Sequence, residues 1–119
     1  PAAWAAHKKY TDAVVSVGAL DTTGPRPRMA TFSNRGSWLT AWAPGVDIRS
    51  IYPTDLKYEY HDTSGPVGTL DFDGLAEWSG TSFAAPYAAA SILAHAAVRD
   101  LSPRDAWADM RRGAGFVVL

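Results

Sequence analysis

Three features of the sequence predict an α/β fold, part of a doubly wound and mostly parallel sheet, with a β-hairpin and two helices. Residues 13–20 carry Val14, Val15 and Val17 in an almost uninterrupted apolar run, the pattern of a strand buried on both faces. Residues 83–99 are rich in alanine, with Ile92, Leu93 and Val98 and no strongly polar face. A helix apolar all round is expected to be buried on all sides, with alanine allowing close backbone packing. Asp100-Leu101-Ser102-Pro103 then restarts the chain, Ser102 as N-cap and Pro103 at the first position of a second helix, with Asp105 in its first turn.

The remaining elements follow in order. Residues 1–7 are small, apolar and helix-tolerant, and Lys8, Lys9 and Tyr10 lead into the first strand. Residues 21–28, with Gly24, Pro25 and Pro27, form a surface loop in which Arg26 and Arg28 read as solvated charge. A short strand is expected before a turn at Ser33-Asn34-Arg35-Gly36, and another over residues 38–43, ended by Pro44-Gly45. Val46 to Tyr52 resumes an alternation with Val46, Ile48 and Ile51 inward, and Pro53 stops it. Residues 58–60 and 68–72 flank His61-Asp62-Thr63-Ser64-Gly65-Pro66, read as a hairpin with a long polar loop. Leu101, Ala106, Trp107 and Met110 make the inner stripe of the second helix, Gly113 and Gly115 end it, and residues 116–119 leave as an apolar tail.

Composition narrows the function. The 119 residues amount to one domain at most. A domain of that length buries roughly two thirds of its unfolded surface, so a core is within reach. Hydrophobic content of 47%, charged content of 19% and a net charge of -1 give no electrostatic case for nucleic acid or an anionic membrane. Without cysteine there are neither disulfides nor thiolate metal sites. No apolar run reaches the ~20 residues needed to span a bilayer. The start at Pro1 has neither an initiating methionine nor a leader pattern, so the chain is expected to begin after something has been removed. Asp71, Asp73 and Glu77 do not follow the spacing of a calcium loop and read as solvated hairpin acids, so no metal ligands are assigned.

The chemistry is expected at Glu77-Trp78-Ser79-Gly80-Thr81-Ser82-Phe83-Ala84-Ala85-Pro86, which joins a glycine and two hydroxyl residues directly to the long helix. Gly80 allows a sharp turn, and Thr81 or Ser82 can cap the helix. Ser82 then lies where unpaired N–H groups and the positive end of the dipole point, the place to stabilise an oxyanion. A plain N-cap is the commoner role of such a serine, and these residues alone give only a capped helix. A nucleophile elbow needs G-x-S-x-G, and Ala84 stands where its second glycine belongs.

Gly80-Thr81-Ser82-Phe83-Ala84-Ala85-Pro86 resembles the serine motif of the subtilisin-like serine peptidases, G-T-S-[MF]-A-x-P, whose serine is the nucleophile; Tyr87 holds the place usually taken by histidine. Three further stretches stand in the family's order: the run through Val14, Val15 and Val17, then Ala30-Thr31-Phe32-Ser33-Asn34, then Ala43-Pro44-Gly45-Val46. The resemblance covers essentially the whole chain but only the C-terminal part of the family's catalytic domain. It implies a serine endopeptidase in which Ser82 attacks the peptide carbonyl and its backbone N–H serves the oxyanion hole, with Gly80, Thr81 and Pro86 supporting the motif. It also implies that small residues near Ala2 and Ala3 help form substrate subsites, an extracellular location, and the possibility of structural calcium, for which no ligands are assigned.

The rest of the machinery is not in these residues. A serine hydroxyl needs a positioned base. His7 precedes the first strand and His61 sits on the hairpin tip, while His95 lies more than three helical turns from Ser82, roughly 18 to 20 Å at 1.5 Å per residue. In the family the order is aspartate, histidine, serine, as in subtilisin itself. Neither the aspartate motif nor the H-G-T-H motif nor the oxyanion asparagine segment is present, and Asn34, the sole asparagine, matches a different landmark. An apolar helix and a two-sided strand also need more covering material than one other helix supplies. The expected partners are therefore an upstream portion of the same domain, bearing those three residues, and a peptide or protein substrate. The alternative is an inactive peptidase-like module for binding or assembly.

Overall fold

The computed structural model describes residues 2–11, 13–112 and 117–119, so Gly113 and Gly115, expected to end the second helix, lie outside the described residues. The chain forms two compact units, one from residues up to Val46 together with Ser79 onward, the other Asp47–Trp78.

The first unit opens with a 3-10 turn at Ala2–Ala6. Its sheet is built from β1 (Val17–Asp21), β2 (Arg28–Met29), β3 (Ala41–Pro44) and a terminal strand, Val117–Val118. The order is β2, β1, β3, terminal strand; β2 is antiparallel to β1 and the other neighbours are parallel. The expected apolar tail is thus a strand, because Val117 and Leu119 donate backbone N–H groups to Thr40 and Trp42 at 3.0 and 2.8 Å. Gly18, Ala19 and Leu20 are successively buried, as a strand covered on both faces requires. Arg28 is less free than expected: its guanidinium lies 2.9 Å from Asp21.

Two helices pack on this sheet, α1 (Thr81–Arg99) and α2 (Pro103–Met110). Only one stripe of α1 is buried: Ala84, Ala88, Ile92 and Ala96, spaced by four. Ala84 and Ala88 meet Ala19, Ala30 and Ala43, while Ile92 and Ala96 meet Ala41, Ala106 and Trp107. Methyl against methyl brings the helix backbone close to the strands. The expectation that α1 is buried all round is not met, since Tyr87 is 47%, Leu93 57% and Val98 84% exposed. Apolar composition states what a helix can bury, and neighbours decide what it does bury. Asp100 ends α1 in the left-handed region, with φ 53°, and its N–H joins Leu101 N–H on the Ala96 carbonyl. Ser102 caps α2 as expected, accepting Asp105 N–H at 3.1 Å. Of the expected inner stripe, Ala106 and Trp107 are buried, whereas Leu101 is 37% exposed.

The second unit is one long hairpin, β4 (Ile48–Asp62) with β5 (Gly65–Trp78). Pro53 does not stop β4. The register shifts between Ile51 and Thr54 and again between Thr54 and Leu56, and a bulge removes the need for the N–H that proline lacks. Only Thr63-Ser64 separate the strands, with Ser64 N–H bonded to the Asp62 carboxylate at 2.7 Å, so the loop is tight where a long one was expected. Ile51, expected inward, is 86% exposed. Tyr58 reaches Trp78 with ring centroids 6.5 Å apart. A straight ladder would separate their positions by roughly 30 Å. The hairpin therefore bends, where Asp55 and Gly74 take positive φ.

Two outcomes are expected in urea unfolding of the 119-residue chain. Ala88→Leu overpacks the helix–sheet seam and costs about 1–3 kcal/mol, whereas Val98→Ala on the open face changes stability by no more than about 0.5 kcal/mol. Asp21 supplies a pH test. The Thr23 hydroxyl first, then the Thr23 N–H and Arg28, hold its carboxyl at about 2, against an ordinary 3.8. A pKa lowered by folding gives stability that is present above the unfolded value and lost as pH falls through the folded one. Asp21→Asn should therefore flatten the stability profile between pH 3.8 and about 2, measured as urea midpoint against pH.

Candidate active site

Ser82 stands at the second position of α1 and is exposed. The N-cap is Gly80, not Thr81 or Ser82, and no side chain caps this end. Gly80 has φ 165°, ψ 157°, an extended backbone open to any residue, and an added Cβ would meet nothing closer than 3.5 Å. The sharp turn expected to require glycine is not there. What holds the turn is a hydrogen bond from Gly80 N–H to the Gly45 carbonyl, 2.8 Å, just after β3.

The first N–H groups of a helix have no partner inside it. Here Gly80 N–H goes to Gly45 and Phe83 N–H to the Gly80 carbonyl at 3.1 Å. The N–H groups of Thr81 and Ser82 have no hydrogen bond to any described residue, and neither has the Ser82 hydroxyl. An exposed hydroxyl, two open donors and the positive helix end thus meet within one turn, an arrangement suited to an acyl oxyanion. Pro86 is the sixth helical residue, deeper than the first turn. Lacking an N–H, it costs one intrahelical bond and leaves the Ser82 carbonyl without its usual partner.

None of the histidines is brought to Ser82 by a shared hydrogen bond. His7 accepts Lys9 N–H at 3.2 Å and lies beside Tyr10, its ring centroid 5.4 Å away. His61 pairs with Pro66 near the hairpin turn. His95 joins Asp109 across the two helices, Nε2 to Oδ2 at 2.9 Å, with Arg112 2.8 Å from the other carboxylate oxygen. The His95 hydrogen bond first, then Arg112 and Arg99, lower the Asp109 pKa against desolvation. This cluster clasps α1 to α2. Asp71 lies 3.7 Å from Lys57 in an exposed pair, and Glu77 stands opposite Arg49 in the ladder. Ala2 and Ala3 are exposed, and Asn34 is exposed beside Ser33, whose hydroxyl accepts Ala19 N–H at 3.0 Å.

Fold and sequence together define a class. The model of the subtilase family, peptidase S8, matches residues 1–113, and the chain belongs to that family, for which serine peptidase activity is the shared function. It is 39% identical over 79 residues to fervidolysin of Fervidobacterium pennivorans, covering 62% of this chain and 11% of that protein. It is 35% identical over 95 residues to a thermophilic serine proteinase of Bacillus sp. strain AK1, covering 78% of this chain and 18% of the relative. Subtilisin DY of Bacillus licheniformis is 41% identical over 56 residues, 47% of this chain and 19% of the relative. The crystal structure of fervidolysin, described as a keratinolytic enzyme related to subtilisin, superposes with a TM-score of 0.57 at 30% identity, covering 76% of this chain and 14% of that one. The chain therefore spans between 11 and 19% of the length of these curated relatives.

The hydrogen bond from Gly80 N–H to the Gly45 carbonyl has no local signal in the sequence. The motif's glycine draws attention to Gly80, and nothing in the order of residues indicates that Gly45 touches it.

His95→Ala should lower the urea midpoint of the complete protein by freeing α2, while the rate at which Ser82 reacts with a fluorophosphonate stays the same. A lost reaction with an unchanged midpoint would give His95 a chemical role instead.

Proposed function

We propose that this chain is the nucleophile-bearing C-terminal part of a single subtilisin-like catalytic domain, and that Ser82 hydrolyses peptide bonds through an acyl-enzyme. One observation carries the reading: Ser82 is exposed at the second position of α1, with its own N–H and that of Thr81 open. Ser82 Oγ attacks the peptide carbonyl carbon as its proton passes to a base. The Ser82 N–H receives the oxyanion, the C–N bond breaks, and the base returns the proton to the leaving amine. Water then releases the acyl group by the same route. Base, orienting aspartate and oxyanion asparagine come from polypeptide upstream of these residues, and this chain alone is inactive. No cofactor takes part in the chemistry; the location is extracellular, on family grounds.

Two surface features support an upstream partner. The open face of α1 carries Tyr87, Leu93 and Val98, about half exposed or more. A groove of about 450 Å³ is lined by Val15, Ile92, Leu93 and Trp107, and the Trp107 indole N–H is buried with no hydrogen-bond partner among the described residues. Covering polypeptide would bury the apolar face and fill the groove. No helix of the described residues is long and apolar enough to cross a membrane.

Labelling with a fluorophosphonate tests the reading. The complete protein should become modified at Ser82, Ser82→Ala should abolish this, and the isolated 119 residues should not react. A complete protein that binds peptides yet never labels would make the chain part of an inactive binding or assembly module.

A further inference from the structure

We infer that Gly45 is a positioning residue for Ser82: its missing side chain sets how closely the turn that begins α1 seats on the end of the sheet. The inference rests on the reading of Ser82 proposed above. Gly45 follows β3 directly and is buried. Its N–H donates to the Leu20 carbonyl of β1 at 3.0 Å, and its carbonyl accepts Gly80 N–H at 2.8 Å. A single peptide unit on either side thus links the central strand to the residue that starts the helix.

The space around it is closed. A Cβ built on Gly45 would stand 2.8 Å from Ala19 Cβ, 2.9 Å from the Gly80 carbonyl oxygen and 3.3 Å from Ala84 Cβ. Two of these neighbours are methyls of the helix–sheet seam. The third is the backbone oxygen that accepts Phe83 N–H in the first turn of α1. A flexible side chain can swing aside, but that carbonyl moves only if the turn moves with it. Gly45 does not have a positive φ, so its constraint is one of space. Gly18 offers the contrast: a Cβ there would come within 2.4 Å of the Trp42 ring, crowding the same sheet without reaching Gly80.

Displacing the turn displaces Ser82 two residues on, together with its N–H. A shift on the order of 1 Å in a reacting group lowers turnover by about 100-fold. The complete protein should be compared as wild type, Gly45→Ala, Gly18→Ala, and the double variant Ala19→Gly/Gly45→Ala. The double variant removes one crowded methyl but leaves the Gly80 carbonyl in place, and it remains available if the single variant does not fold. Gly45→Ala should lower kcat on a peptide substrate by roughly 10- to 100-fold with little change in KM. The double variant should regain urea midpoint without regaining kcat, and Gly18→Ala should lose midpoint without losing kcat. A kcat that simply follows the midpoint across the set would overturn the inference. Exchange of the Gly80 amide gives a reading independent of activity. It should quicken in Gly45→Ala and in the double variant while the Ile92 and Ala96 amides hold, and unchanged exchange would overturn the inference. If the wild-type complete protein never labels at Ser82, the catalytic reading fails, and the Gly80 amide alone decides whether Gly45 sets the turn.

Discussion

Everything in the larger unit depends on the close seating of α1 against β1 and β3. The contact is made by small groups: Ala84 and Ala88 from the helix, Ala19 and Ala43 from the strands, with Ala30 at the side. Each methyl buries little surface, so the seam is held by fit more than by area, and interiors packed to that density transmit small displacements. Ile92, Ala106 and Trp107 supply the larger buried volume further along, where α2 closes over α1. The consequence for function is positional. A helix laid on a sheet through methyls has a defined height, and the residues at its start inherit that height.

At that start, the backbone is the main structural agent. Gly80 is held by a hydrogen bond to Gly45, and no side chain occupies the cap, so the N–H groups of Thr81 and Ser82 stay open. A serine or aspartate cap at position 80 would accept from the second or third N–H of the helix, and the second is that of Ser82 itself. The proline at position 86 acts in the same direction, for it leaves the Ser82 carbonyl outside the helical ladder. Ser82 thus combines an ordinary helical position with unusually free polar groups, which is the condition an acyl-transfer nucleophile with an oxyanion donor requires.

Local signals in the sequence were reliable where the cause is local. The Ser102-Pro103 cap and the start of α1 near Gly80 depend on residues a few positions apart and appear in the fold, whereas of the strand expected over residues 13–20 only the part from Val17 does, Val14 and Val15 lying before β1. Readings failed where a distant partner decides. Pro53 stands within a strand because β5 tolerates a shifted register, and Val117–Val118 is a strand because β3 offers an edge. The exposed flank of α1 is the same kind of case, since composition cannot reveal which faces have neighbours. At the candidate site, the sequence motif locates the start of α1, where Ser82 is exposed, but it assigns to Gly80 a steric constraint that the contacts place at Gly45.

The most direct measurement is a crystal structure of the complete protein after reaction with a peptide boronic acid. The boron should be bonded to Ser82 Oγ, with a boronate oxygen accepting the Ser82 N–H and a histidine from upstream polypeptide beside it. An unmodified Ser82 whose N–H is covered by other parts of the protein would contradict the claim that this helix end is built to receive an acyl group.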